Sequence, residues 1–155
     1  MELSDILSEG SVFAFDKVKD KGELLGLLAE RAAGITGQDS QAIYETLSTR
    51  ESLGSTGLGN GIAIPHGKLA GLKSVTALFA RLAEPVDFDA VDDQKVDLVV
   101  MLLAPAGAGA DHLKALARVA RLLRTDALVE ALRATSDPAR LHAILTAPVA
   151  SQNAA

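Results

Sequence analysis

The chain has 155 residues, 48% of them hydrophobic and 3% aromatic, and it carries a formal net charge of −5 at pH 7. This length is typical of one domain, and its core must be aliphatic. The acidic balance argues against a nucleic-acid-binding protein, which normally carries a basic excess. Because the sequence has no cysteine, disulfides and thiolate metal sites are excluded and a reducing compartment is compatible.

The first ten residues, MELSDILSEG, have acidic side chains where a signal peptide has basic ones, and no apolar segment follows them. No apolar run in the sequence approaches the roughly 20 residues that a membrane-spanning helix needs. We therefore expect a cytoplasmic protein that does not insert into a membrane.

Apolar periodicity predicts four strands and five helices, after one short helical turn that ends at Leu7. The predicted strands span residues 11–15, 62–64, 75–82 and 96–103. The predicted helices begin at capping residues, namely Asp20, Asp39, Asp111, Thr125 or Asp126, and Ser136, and end near residues 32, 49, 123, 132 and 145. The acidic stretch 84–93 is predicted to be a solvated turn region with Phe88 as its apolar anchor.

The predicted order of elements, β-α-α-β-β-β-α-α-α, is typical of an α/β fold. The last strand contains LVVMLLA, and such a continuous apolar run is typical of a strand covered on both faces. We therefore predict three layers, α/β/α, around a small mixed β-sheet. One domain should span residues 1–147, and residues 148–155 are predicted to form a flexible C-terminal tail.

The most informative stretch is residues 50–68, RESLGSTGLGNGIAIPHGK, which is rich in glycine. It is not a nucleotide-binding P-loop, because the Gly61–Gly67 spacing is one residue too long and Leu69 stands where Ser or Thr would bind magnesium. It does not match the dinucleotide fingerprint either, since no G-x-G is followed by two residues and another glycine. Without further evidence the stretch could equally be a long connection with turn glycines.

The surroundings of His66 favour a phosphate site. Pro65 restricts its own φ and favours an extended Ile64, so the strand holds His66 at its end with little freedom. Successive backbone N–H groups in such a loop can form an anion-binding nest. The predicted phosphate-binding residues of the loop are Ser55, Thr56, Gly57, Gly59, Asn60 and Gly61, and Arg50 adds a guanidinium.

His112 is the second candidate, because it lies in the first turn of a predicted helix, where anions are favoured. His142 lies on the last amphipathic helix, and we interpret it as structural or exposed. The histidines lack the i, i+3 or i+4 spacing of a zinc site, so no metal is expected. The basic run of Lys114, Arg118, Arg121 and Arg124 is either a solvated helix face or a surface for an acidic partner.

The stretch 50–68 resembles the active-site segment of the enzyme IIA components of the bacterial phosphoenolpyruvate-dependent phosphotransferase system, in the fructose/mannitol class. It is most similar to the nitrogen-regulatory branch. PVDFDAVDDQKVDLVVMLLAP and HLKALARVARLL resemble the second half of the same domain, so the resemblance covers residues 3–145. Lys95 is a small departure, since relatives often have proline there. The resemblance implies that His66 accepts a phosphoryl group, that His112 is the second active-site histidine, and that Arg50 stabilises the phosphate.

The function implied by the resemblance is that of a phosphohistidine carrier that takes its phosphoryl group from a carrier protein of the HPr or NPr type and needs no cofactor. Its targets would be regulatory proteins, for example potassium-transport regulators. Sugar transport, with transfer to a IIB component, is the alternative. A different class of function also stays open, namely a binding module whose loop holds a free anion or metabolite.

Overall fold

Six strands and five α-helices follow one another along residues 2–147, which are the residues that the computed structural model describes. Two short 3-10 turns, Leu3–Asp5 and Glu9–Ser11, come first. The elements then run in the order β1 Val12–Phe15, α1 Lys21–Thr36, α2 Ser40–Ser52, β2 Gly57–Gly59, β3 Ile62–Ala63, β4 His66–Leu69, β5 Thr76–Val86, β6 Val96–Pro105, α3 Gly109–Leu122, α4 Asp126–Arg133 and α5 Pro138–Thr146. The predicted tail 148–155 lies outside the described residues.

All six strands belong to one mixed sheet. The strand order is β1-β5-β6-β3-β2, and β4 also pairs with β6. Strands β3 and β4 run parallel to β6, whereas β5 runs antiparallel to it. The predicted α/β fold with a mixed sheet is confirmed.

Strands β3 and β4 lie along one line of the sheet, since Ile62 pairs with Leu98 and His66 pairs with Leu102. Pro65 interrupts this line because it has no N–H to donate, although its carbonyl still accepts a hydrogen bond of 3.0 Å from the amide of Leu102. The sequence prediction ended the strand at Ile64 and missed β4. Pro65 and the polar Lys68 break the run of apolar residues that would have indicated a longer strand.

Helices cover both faces of the sheet, as predicted for three layers. On β6, Val99, Met101 and Leu103 pack in the cluster that contains α1 and α2. Leu98, Val100 and Leu102 pack in the cluster that contains α3, α4 and α5. Because strand side chains alternate between faces, His66 shares the α3 face with Ile62 and Ile64, and Gly67 lies on the α2 face.

The helix starts agree only partly with the predicted caps. The side chains of Asp20 and Asp39 accept hydrogen bonds at the N-termini of α1 and α2, as predicted. Asp111 does not cap α3, which begins two residues earlier at Gly109 without a side-chain cap. The cap of α5 is Asp137 rather than Ser136, with Pro138 in the first turn. The earlier start of α3 makes His112 the fourth residue of this helix.

The stretch around the end of β5 agrees with the prediction only in part. Strand β5 continues to Val86, beyond the predicted end at residue 82, through a register shift between Arg81 and Val86. Phe88 is fully buried, as predicted for an anchor. Within residues 2–147, no helix is both long enough and apolar enough to cross a membrane.

Candidate active site

His66 is oriented by the backbone just before it. Its Nδ1 lies 2.8 Å from the carbonyl oxygen of Ile64. Because a carbonyl can only accept, Nδ1 must carry the hydrogen of the neutral ring, and this assigns the tautomer. Nε2 then keeps its lone pair, and the half-buried ring is accessible to another molecule.

His112 lies beside His66. The ring centroids are 5.4 Å apart and the ring planes are tilted by 49°. His112 is only 7% exposed, and its Nδ1 has no hydrogen-bond partner within residues 2–147. Since buried N–H groups without an acceptor are rarer than unsatisfied acceptors, neutral His112 carries its hydrogen on Nε2. The structure thus brings the two candidate histidines together.

The pKa of His112 is lowered from its ordinary value, first by burial and then by the charges of His66 and Lys68. Burial disfavours the charged form of an imidazole, and neighbouring cations disfavour it further. His112 is therefore a neutral hydrogen-bond donor near pH 7.

Lys68 is a residue of this site that the sequence prediction missed. It is exposed on β4, two residues after His66 and on the same face of the sheet. Its positive charge contributes to the lowered pKa of His112. The i, i+2 relation to His66 would have revealed Lys68 if β4 had been predicted.

Arg50 lies in the last turn of α2, where its Nη1 donates a hydrogen bond of 2.9 Å to the carbonyl of Gly54. Helix α2 packs on β4 so closely that a Cβ atom at Gly67 would overlap the γ-methyl group of Thr46. Arg50 follows Thr46 by one helical turn on that face. Within the described residues no hydrogen bond or ion pair joins Arg50 to His66 or His112, and its role in stabilising the phosphate stays a prediction.

The first part of the glycine loop runs beside Ile64, whose N–H donates to the carbonyl of Thr56, and several donors of this part are already engaged. The hydroxyl of Ser55 donates to the carbonyl of Phe88 at 2.6 Å and accepts a hydrogen bond from the amide of Gly57 at 3.0 Å. Thr56 is buried, and both its amide and its hydroxyl donate to the carboxylate of Glu51. These bonds give Ser55, Thr56 and Gly57 a role inside the protein, and their phosphate contacts stay a prediction.

The second part of the loop lies away from His66. Gly59 pairs with Ile62, and Asn60 and Gly61 between them have φ values of 57° and 79°, as a type I′ hairpin turn requires. The register places this turn about four residues, or roughly 13 Å, from His66 along β6. The predicted phosphate-binding role of Gly59, Asn60 and Gly61 is thus not supported by their position. The Asn-Gly pair was the sequence signal for this hairpin.

The third histidine, His142, lies on α5 and contacts the first turn of the chain instead of the site. His142 has its Nε2 3.1 Å from the carbonyl oxygen of Leu7, which fits the predicted structural role.

Three clefts have volumes of about 570, 560 and 620 Å³, and neither His66 nor His112 lines any of them. No group of three or more His, Cys, Asp or Glu residues suited to a metal ion occurs in the described part of the chain. The half-buried His66 and the buried His112 therefore lie outside these three clefts.

The fold is that of the IIA proteins of the phosphotransferase system. The nitrogen regulatory protein IIA-Ntr from Neisseria meningitidis has a solved structure that matches with a TM-score of 0.86 and 36% sequence identity, covering 93% of this chain and 99% of that one. The mannitol enzyme IIA of Escherichia coli, solved in complex with phosphorylated mannitol enzyme IIB, matches in fold with a TM-score of 0.76 at 19% identity, covering 92% of this chain and 100% of that one.

Residues 5–147 match the family described as phosphoenolpyruvate-dependent sugar phosphotransferase system, EIIA 2, and the chain belongs to this family. A protein of Bradyrhizobium diazoefficiens named nitrogen regulatory protein is 48% identical over 151 residues, which cover 97% of this chain and 99% of that protein. The resemblance inferred from the motif around His66 is thereby confirmed. The chain is a component of a phosphoryl-transfer system.

Proposed function

We propose that His66 accepts a phosphoryl group on Nε2 from a phosphohistidine of an HPr- or NPr-like carrier protein. The observation that carries the proposal is the 2.8 Å contact between Nδ1 of His66 and the carbonyl oxygen of Ile64. This contact leaves the lone pair of Nε2 available and fixes the direction in which it points. The carbonyl also stabilises the positive charge that develops on the ring when Nε2 forms a new bond.

The step is a direct transfer between two imidazole rings. The lone pair of Nε2 of His66 forms the new N–P bond, and the N–P bond of the donor breaks, returning its electron pair to the donor's ring nitrogen. Nδ1 of His66 keeps its proton throughout, so no separate base is needed. The transition state of such a transfer is loose, and catalysis depends on positioning and on charge stabilisation.

Three side chains are available to stabilise the phosphoryl oxygens. His112 provides a neutral N–H donor on Nε2, in a ring whose centroid lies 5.4 Å from that of His66. Lys68 provides a cation on the same strand, and Arg50 provides a second one in the last turn of α2. A neutral donor with two cations suits an incoming dianion, because hydrogen bonds and positive charges both favour it.

The direct test is phosphorylation of the purified protein with phosphoenolpyruvate, enzyme I and a carrier protein. We expect acid-labile phosphate on the wild-type protein and none on the variant His66→Ala. The matched control is His142→Gln, which changes a histidine on α5 and should take up label like the wild type. Label on a folded His66→Ala variant would overturn the assignment.

The physiological role that we propose is nitrogen-regulatory signalling in the cytoplasm. It is supported by the identity of 48% to a protein named nitrogen regulatory protein over nearly the whole of both chains. In this role the phosphorylated and unphosphorylated forms bind regulatory targets differently, for example potassium-transport regulators. The affinity of a candidate target for the two forms, measured by calorimetry, would test this, and equal affinities would contradict it.

Sugar transport is a second candidate function, because the family description itself names a sugar phosphotransferase system. In that case His66 would pass its phosphoryl group to a IIB component. An assay of transfer from the phosphorylated protein to fructose- and mannitol-specific IIB domains separates the two roles. Rapid transfer to either domain would favour the transport role.

A further inference from the structure

We propose that Glu51 is a positioning residue for His66, and that it acts through Thr56 and the backbone of Ile64. This inference rests on the proposed function of His66 as a phosphoryl acceptor. Glu51 does not touch His66. It fixes Thr56, whose carbonyl binds the N–H of Ile64. The carbonyl of Ile64 in turn determines which nitrogen of the His66 ring is free.

The carboxylate of Glu51 is buried, with 8% of the residue exposed. One oxygen, Oε1, accepts the backbone N–H of Thr56 at 3.1 Å, and Oε2 accepts the hydroxyl of the same residue. Two hydrogen bonds from one residue to one carboxylate fix both the position and the rotation of that residue. Bonds to an ionised acceptor are also stronger than neutral ones.

A cation also binds this carboxylate. The ammonium group of Lys21, at the start of α1, lies 3.0 Å from Oε1 of Glu51. The same ammonium group lies 4.4 Å from the centre of the Phe88 ring and donates a hydrogen bond of 3.4 Å to the Phe88 carbonyl. A buried carboxylate without a counter-ion would be costly, so Lys21 allows Glu51 to stay ionised inside the protein.

Thr56 connects this buried pair to the backbone next to His66. The carbonyl of Thr56 accepts the N–H of Ile64 at 3.1 Å. The carbonyl of Ile64 in turn lies 2.8 Å from Nδ1 of His66. Glu51, Thr56, Ile64 and His66 thus form one continuous line of hydrogen bonds from the buried carboxylate to the imidazole ring.

The loop needs this support because its own sequence provides little rigidity. Gly54 and Gly57 flank Ser55 and Thr56, and glycine has more backbone freedom than any other residue. Without the carboxylate, Thr56 and therefore Ile64 would sample several orientations. The carbonyl of Ile64 would then hold Nδ1–H of His66 for only part of the time, and the tautomer with hydrogen on Nε2 would become populated.

The experiment compares two pairs of variants. Thr56→Val removes the hydroxyl while keeping the shape of the side chain, and Thr56→Ser keeps the hydroxyl. Glu51→Ala removes the acceptors, and Glu51→Gln keeps an amide that can satisfy both groups of Thr56. Asp97→Asn is the control for general destabilisation, because it weakens the Arg133–Asp97 ion pair of 2.9 Å, which lies near the opposite end of β6 from Leu102.

Two readouts separate positioning from stability. Nitrogen-15 NMR of the unphosphorylated protein gives the tautomer of His66, and steady-state phosphorylation gives kcat and KM for the carrier. In Thr56→Val and Glu51→Ala we expect the Nε2–H tautomer to appear and kcat to fall about tenfold, as for the loss of a charge-assisted hydrogen bond. KM should stay within about twofold, because a buried carboxylate does not touch the carrier.

The conservative variants Thr56→Ser and Glu51→Gln, and the control Asp97→Asn, should keep the wild-type tautomer and kcat. An unchanged His66 tautomer in folded Thr56→Val and Glu51→Ala would overturn the proposal, as would an equal change in Asp97→Asn. The NMR readout needs no phosphorylation. If the wild-type protein took up no phosphate, the proposed function would fail while the positioning by Glu51 would still be decided.

Discussion

The imidazole rings of His66 and His112 lie with their centroids 5.4 Å apart, one at the start of β4 and the other in the first turn of α3. Strand β6 makes this possible, because it pairs with β4 at Leu102 and is followed closely by α3. Two imidazolium ions at this distance would repel each other, whereas a neutral pair can share one phosphoryl group. The lowered pKa of His112 therefore agrees with the geometry.

The first prediction concerns the hydrogen bond from His112 to the phosphoryl group. His112→Ala should still be phosphorylated on His66, but about 100-fold more slowly, which is the usual loss for one preorganised donor. His112→Gln keeps an N–H donor at a similar distance and should recover part of the rate. Rapid-quench measurement of phosphate uptake checks both variants, and equal rates for Ala and wild type would exclude a catalytic role.

The second prediction is a pH dependence of stability. Because the pKa of His112 is lowered by folding, the unfolded chain binds this proton first as the pH falls. The free energy of unfolding should therefore decrease as the pH drops below about 6.5, by at most about 1.4 kcal/mol per pH unit from this group. Urea denaturation of wild type and His112→Gln across this range checks the sign. The variant should lose less stability on acidification, and a larger loss would contradict the lowered pKa.

The third prediction separates the charge of Arg50 from its shape. Arg50→Lys keeps the cation but loses the planar group that donates to the Gly54 carbonyl. We expect phosphate uptake to slow by roughly tenfold, while the free energy of unfolding changes by less than about 1 kcal/mol, because this hydrogen bond is exposed. The initial rate of labelling and a denaturation curve measure the two effects. A wild-type rate in Arg50→Lys would show that phosphate uptake does not depend on the planar guanidinium group.

The sequence was sufficient for the layers of the fold and for the two histidines. Continuous apolar runs such as β6 and the amphipathic helices carry strong periodic signals, and the motif around Pro65 and His66 was specific. Strand β4 was missed because it has only four residues and contains glycine and lysine. Such a short strand forms because it pairs with a neighbouring strand, here β6, and that strand is distant in the sequence.

The roles of the loop residues were not predictable in the same way. Thr56 and Ser55 have side chains that suit phosphate, but their partners in the structure are Glu51 and Phe88. The burial of Glu51 depends on Lys21, which comes from another helix. A sequence shows which groups can donate hydrogen bonds, whereas the choice among possible acceptors is made by the packing of elements that are far apart in the chain.

The fourth prediction concerns Gly67, where a side chain would collide with Thr46 of α2. The Thr46 rotamer is fixed, because its hydroxyl donates to the Ala42 carbonyl at 2.9 Å. Gly67→Ala should therefore destabilise the protein by about 1–3 kcal/mol, as overpacking usually does, and Thr46→Ser should restore part of this loss by removing the methyl group. The control Gly26→Ala adds a methyl group in open space on α1 and should stabilise by about 0.5–1 kcal/mol. A destabilisation of Gly67→Ala that Thr46→Ser did not relieve would show that the close approach of the rest of α2, and not the γ-methyl group of Thr46, requires glycine.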